Sequence, residues 1–278
     1  MHYKSLLCVV RSDEQPKFLA QAIELAQQME AALNVLVVGI APIPPASPYG
    51  ITGADIWARE ADENRKLAKM RADAIEKDLA KAQISGSVMA HLLDQGAVAT
   101  LVARFARYAD LTLVPTRSEE NASFHSAVLN GALFESGRPI LLLPEKAGAF
   151  PKVKSAVIAW DASLEASKSV KDAIGILQGC DTVTALLVDP SPSFEGHGEE
   201  PGADLATYLA RHDISVNVSA VPREGRPTSE IIMRFADDAG ADLIVMGAYA
   251  HSRLRQIIFG GTTSTILDKA RLPVLMAH

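Results

Sequence analysis

Between Gly247 and Thr265 the chain reads GAYAHSRLRQIIFGGTTST, flanked by the apolar runs ADLIVM and LPVLM. Its residue types are those that hold an anion. Gly247 lets the backbone turn sharply and lets a ligand approach where a Cβ would otherwise stand. Gly260 and Gly261 precede TTSTILDKA, a predicted helix. The first-turn amides of a helix lack internal partners, so these N–H groups and the helix dipole favour negative charge. Thr262 and Thr263 add hydroxyls, and His251, Arg253 and Arg255 add positive charge nearby. The plainer reading of the same residues is a strand end, a glycine turn and a solvated helix face. Taken alone, a glycine segment of this kind is weak evidence.

Other chemistry finds less support. The chain has no G-x-x-x-x-G-K-[ST] phosphate loop, no G-x-S-x-G nucleophile turn, no H-E-x-x-H and no C-x-x-C. Its seven histidines are scattered, and His197, in the acidic stretch FEGHGEEPGAD, reads as part of a solvated loop. A formal net charge of −6 without long Lys/Arg runs argues against binding nucleic acid through its phosphates. Cys8 and Cys180 cannot make a disulfide framework and fit a reducing compartment. Arg11 interrupts the first apolar run too early for a signal peptide, and no run is long enough to span a bilayer. A soluble cytoplasmic protein is the expectation.

The elements that must position these residues follow from periodicity. In the second half, SAVIAW, TVTALLV, SVNVSAV, ADLIVM and LPVLM are rich in Val, Ile and Leu with little alternation. Such runs read as strands buried on both faces of a parallel sheet. Ser163–Leu177, Glu200–His212, Thr228–Ala239 and Thr262–Ala270 suit helices, with Asp161 or Ser163 as a cap for the first and Thr228 for the third. The first half repeats the pattern with LLCVV, NVLVVGI, SVMAHLL, ADLTLV and PILLL. Its long second helix, about 54–82, carries Leu67, Met70, Ile75 and Leu79 as one amphipathic stripe.

The halves also match in words. ADLTLVP answers ADLIVMG, ARFA answers MRFA, DQGAVATLV answers REGRPTSEII, and GRPILLLP answers ARLPVLMAH, in the same order. This is a tandem repeat. The Pro/Gly/Lys-rich PEKAGAFPKVK, Pro144 to Lys154, reads as the linker. We expect domains at 1–146 and 153–278, each a doubly wound α/β unit with a five-stranded parallel sheet.

The tandem order and the ending MGAYAHSRLRQIIFGGTTSTILDKARLPVLM resemble the universal stress protein family. The resemblance implies a Rossmann-like fold, akin to that of the adenine nucleotide alpha hydrolases. The family's ATP-binding branch carries Gly, two residues, Gly, nine residues, then Gly and Ser or Thr. Gly247, Ala250 and Gly260 reproduce that spacing, with Ala250 in place of the second glycine and Gly261 in the usual Ser/Thr position, Thr262 following. By this resemblance Asp161, ending the first strand of the second unit, lies near ribose or adenine. Val188 offers backbone contacts, Trp160 and Met246 line the apolar faces of the base, and Gly247, Ala250, His251, Gly260, Gly261, Thr262 and Thr263 surround the phosphates. The implied ligand is ATP, or ADP or AMP, with Mg²⁺ as a companion ion.

The first unit departs further. Arg11 stands where the second has Asp161, Pro115 where it has Gly247, and Glu119 and Glu120 oppose an anion. It reads as a degenerate copy without nucleotide, in which Ser123, Ser126 and Asn130 serve as caps and surface positions. The loops after the first strands, RSDEQ and DASLEA, lack the Ser/Gly-rich loop of ATP-cleaving relatives, so no reaction beyond slow ATP hydrolysis is expected. The implied function is a stress-response protein that binds an adenine nucleotide as a switch or stabiliser. A nucleotide-free interaction scaffold is the alternative. An unidentified protein partner, and pairing of Pro139–Leu143 with Pro273–Met276 inside one chain as a pseudo-dimer, complete the expectation, with further homodimerisation left open.

Overall fold

The apolar runs become strands and the polar-faced segments between them become helices in the computed structural model of the chain, which describes residues 3–13, 18–43, 54–116, 122–144, 152–191, 199–249 and 261–278. Two compact units result. One holds Tyr3–Val114 and the chain up to Ser136, and the other holds Pro115 and Gly137–His278.

The first unit runs β1 (Ser5–Arg11), α1 (Phe18–Gln28), β2 (Ala32–Ile40), α2 (Ala54–Lys81), β3 (Val88–Leu93), α3 (Val98–Ala106), β4 (Leu111–Pro115) and α4 (Ala122–Leu129), with parallel strand order β3-β2-β1-β4. Leu6 to Val10 are all buried, as a strand covered on both faces requires.

The second unit begins with β5 (Ile140–Leu143) and β6 (Ser155–Ala159), then α5 (Leu164–Leu177), β7 (Thr182–Val188), α6 (Ala203–Ala210) and β8 (Asn217–Val221). It ends with α7 (Thr228–Asp238), β9 (Leu243–Gly247), α8 (Thr262–Lys269) and β10 (Val274–Ala277). Its strand order is β5-β10-β9-β6-β7-β8. All neighbours are parallel except β5 and β10, which run antiparallel with Leu142 opposite Val274 and Ile140 opposite Met276. These are the two segments that the sequence marks as pairing edges.

The repeated ADL words have a structural cause. Asp110 Oδ2 accepts the backbone N–H groups of Lys4 and Ser5 at 2.8 and 3.0 Å. Asp242 Oδ2 accepts those of Lys154 and Ser155 at the same two distances. Each aspartate thus ties the start of one central strand to the start of its neighbour. A carboxylate serving two amides gives stronger bonds than a neutral acceptor would.

Helix α2 corrects the expected stripe. Ile75 and Leu79 are buried, but they share their face with Ala61, Ala68 and Ala72. Leu67 and Met70 point to solvent, 39% and 68% exposed. Small alanines let the helix lie close to β2 and β3, so the larger side chains are not needed on that face.

Two expected caps also move. Pro227, not Thr228, is the N-cap of α7, and no side chain bonds there. Ser126 Oγ donates to the Ala122 carbonyl within α4, while Ser123 and Asn130 are exposed. A π-helical turn, Asn130–Phe134, continues α4. It sits hard against α3, where a Cβ on Gly131 would come within 2.3 Å of the Ala99 carbonyl oxygen.

Candidate functional site

In the second unit β6 lies between β7 and β9, and the chain progresses outward from it in both directions. At such a reversal the loops leaving two neighbouring strands diverge and open a crevice beyond their carboxyl ends. Trp160 and Asp161 follow β6 at this edge, Ala248 and Tyr249 follow β9, and α8 begins the return to β10.

Asp161 organises the turn after β6. Its Oδ1 accepts the Ser163 backbone N–H at 3.1 Å and the Ser163 hydroxyl at 2.6 Å. Ser163 Oγ in turn accepts the Ala166 N–H at 3.1 Å, which makes Ser163 the N-cap of α5. Of the two cap candidates, the structure therefore uses Ser163, and Asp161 orients it.

Gly247, at the end of β9, has a packing reason to be glycine. A Cβ there would stand 2.5 Å from the Ala166 nitrogen and 2.7 Å from the Glu165 carbonyl carbon. Met246 beside it is a core residue, 4% exposed, in register with Ala159 and Met276. The following loop is pinned twice. The Ala248 N–H donates to the Ala277 carbonyl at 2.9 Å, and the Tyr249 N–H donates to Thr263 Oγ1 at 3.1 Å.

At the start of α8, Gly261 is extended, and no described atom lies within 4 Å of its Cβ position. Thr262 is half-buried, and Thr263 and Ser264 are buried. The first-turn amides of α8 and the Thr262 hydroxyl are the described groups suited to an anion. Ala250, His251 and Gly260 lie outside the described residues.

After β7, Val188 is half-buried, and Asp189 Oδ1 accepts the Arg223 N–H at 2.9 Å. This Asp189–Arg223 clasp was not foreseen from sequence, and its residues lie 34 positions apart. Trp160 follows Ala159, the register partner of Met246. It lines a cavity of about 210 Å³ with Ser167 and Val170 of α5 and Asp204, Leu205 and Tyr208 of α6. The i,i+4 spacing of Asp204 and Tyr208 was the available signal for that wall.

Backbone conformation singles out this edge. Ala162, Asp189, Glu224 and Tyr249, in the loops after β6, β7, β8 and β9, all have left-handed φ of 49–60°. Such backbone costs a non-glycine residue about 1–2 kcal/mol. Glu30, Gln83 and Asp213, the other such residues described, follow the ends of α1, α2 and α6. A left-handed residue is ordinary at a helix end. Among the described residues, none follows a strand of the first unit. There Arg11 bonds Asp13 and lies 6.0 Å over the Phe124 ring, and Pro115 ends β4.

A model of the universal stress protein family matches residues 153–278. Universal stress protein MJ0531 of Methanocaldococcus jannaschii is 31% identical over 139 residues, covering 44% of this chain and 81% of the relative. The chain belongs to the universal stress protein family. Universal stress protein Slr1230 of Synechocystis sp. is 46% identical over 46 residues, so that match spans 16% of this chain and 16% of that one. The crystal structure of a universal stress protein from Archaeoglobus fulgidus superposes with a TM-score of 0.72 over 98% of this chain and 95% of its own, at 14% identity. That likeness establishes the Rossmann-like universal stress protein fold across nearly the whole chain. No described helix is long and apolar enough to cross a membrane.

Proposed function

We propose that residues 153–278, within the second unit, bind an adenine nucleotide in the crevice beyond β6 and β9, and that the first unit is a copy kept without nucleotide. The observation carrying this reading is the concentration of left-handed, non-glycine backbone in the loops after β6, β7, β8 and β9. Strain of this kind is retained where function requires a fixed loop geometry. The groups present suit the ligand. Asp161 Oδ2 accepts ribose hydroxyls while Oδ1 holds Ser163, and the α8 amides with Thr262 receive phosphate. Gly261, extended and with no described atom near its Cβ position, leaves room for the anion. ATP with Mg²⁺ is the ligand we assign, with ADP and AMP as shorter forms of the same chemistry. Occupancy stabilises the unit and acts as a switch for a partner, in a stress-response role in the cytoplasm, with no reaction assigned.

A second reading has its own support. Close packing accounts for Gly247 and the α5 turn accounts for Asp161, so both residues have reasons to be present in a nucleotide-free scaffold. Isothermal titration separates the two. Saturable ATP binding that is lost in Gly261→Glu and weakened at least tenfold in Asp161→Ala supports the nucleotide reading. Heat-silent titration of a folded protein at millimolar ATP leaves the scaffold.

A further inference from the structure

Helix α2 is 28 residues long, about 42 Å at the standard rise, whereas its counterpart α6 has 8. Its buried face uses Ala61, Ala68, Ala72, Ile75 and Leu79. On the opposite side Ile56, Leu67 and Met70 are 62%, 39% and 68% exposed. Together with Glu60, Glu63, Ala74, Lys77 and Lys81 they alternate at spacings of four and three, the spacing of a coiled-coil seam, with charged residues toward its two ends. Ile56, Leu67 and Met70 thus fall on one line along the solvent side of the helix.

We propose that this face of α2 pairs antiparallel with the α2 of a second copy of the chain about a two-fold axis. The seam is self-complementary in that direction. Centred between positions 68 and 69, the two-fold sets Leu67 against Met70 twice, Glu63 against Ala74, and Ile56 against the aliphatic stem of Lys81. It also sets Glu60 against Lys77 twice, and the flanking Lys66 against Asp73 twice. Every charged residue of the seam thus meets an opposite charge, an alanine or an apolar side chain. Self-complementarity of this kind is what an isologous dimer demands. Glu60 and Lys77 make no ion pair within the described chain, which leaves both for the partner. Lys66 already bonds Asp62 at 2.7 Å, so its pairing with Asp73 competes with a contact inside the helix. This inference is independent of nucleotide binding.

The test is sedimentation equilibrium of the full chain from micromolar to millimolar concentration at low salt. The wild type should show a reversible monomer–dimer equilibrium. Met70→Glu should remove it without altering the circular dichroism spectrum or melting temperature, since the residue is exposed. Glu60→Lys and Lys77→Glu should each weaken the dimer about tenfold, because two attractive pairs become repulsive. The double variant Glu60→Lys/Lys77→Glu should return to within about threefold of wild type. A wild type that stays monomeric, a dimer indifferent to Met70→Glu, or a double variant no better than either single one would each overturn the proposal.

Discussion

Gly247→Ala isolates what holds the crevice together. The added methyl would stand 2.5 Å from one backbone atom of α5 and 2.7 Å from another, neither of which can rotate away. The helix cannot retreat cheaply either. Ser163 caps the Ala166 N–H, and Ala166, Ser169, Val170 and Ala173 are buried at 0–1% exposure. Forcing atoms into packed structure costs about 1–3 kcal/mol, and two backbone clashes place this substitution near the upper end. For a unit of this size that corresponds to a fall of about 6–10 °C in Tm. Calorimetry without nucleotide reads the effect, and Gly261→Ser serves as the control, since no described atom lies within 4 Å of its Cβ position and its backbone is extended. Melting of Gly247→Ala within about 1 °C of wild type would refute the packing argument and leave Gly247 as a ligand-contact residue alone.

Asp242→Ala leaves two strand-start amides without their acceptor and should cost about 2 kcal/mol by urea denaturation, with Asp110→Ala costing about the same in the other unit. A loss below about 0.5 kcal/mol in both would show that water replaces the carboxylate freely. Ser163→Ala removes the α5 cap and should destabilise by about 1 kcal/mol. The Cys180 thiol is pushed up to about 11, first by burial and then by Asp242 and Asp181. At pH 8 it should therefore react with iodoacetamide about a hundredfold more slowly than a thiol of ordinary acidity, because the thiolate is the nucleophile. Cys8, fully buried and raised further by burial, should react through unfolding alone. Rapid labelling of either in the native protein would contradict this.

Strand and helix positions were legible because a parallel sheet covered on both faces writes itself as uninterrupted apolar runs. TVTALLV is β7 to the residue, and the ADL words mark where two strands are clipped. The α2 stripe was misread for a physical reason. Periodicity finds apolar residues at helical spacing but not which of two opposed faces meets the sheet, and alanines carried the buried one. At the crevice, Asp161 was legible both as a ligand group and as part of a helix cap, whereas the sequence held no sign that Gly247 packs against α5. That packing sets a helix against a strand end more than 80 residues away. The left-handed residues were hidden too. Ala162 and Tyr249 are not types that announce such backbone, as glycine or asparagine would.

The most direct test of nucleotide binding in the second unit is a thermal-shift titration with ATP and Mg²⁺, run on wild type and on Gly261→Glu. The variant places a carboxylate at the α8 amides, where the backbone is extended and no described atom lies within 4 Å of the Cβ position. Its free protein should melt like the wild type. At about a hundred times its Kd the ligand should add about 2.7 kcal/mol to the wild type, a rise of several degrees, and nothing to the variant. Equal shifts in both proteins would place the nucleotide elsewhere, and no shift in either at millimolar ATP would contradict the account.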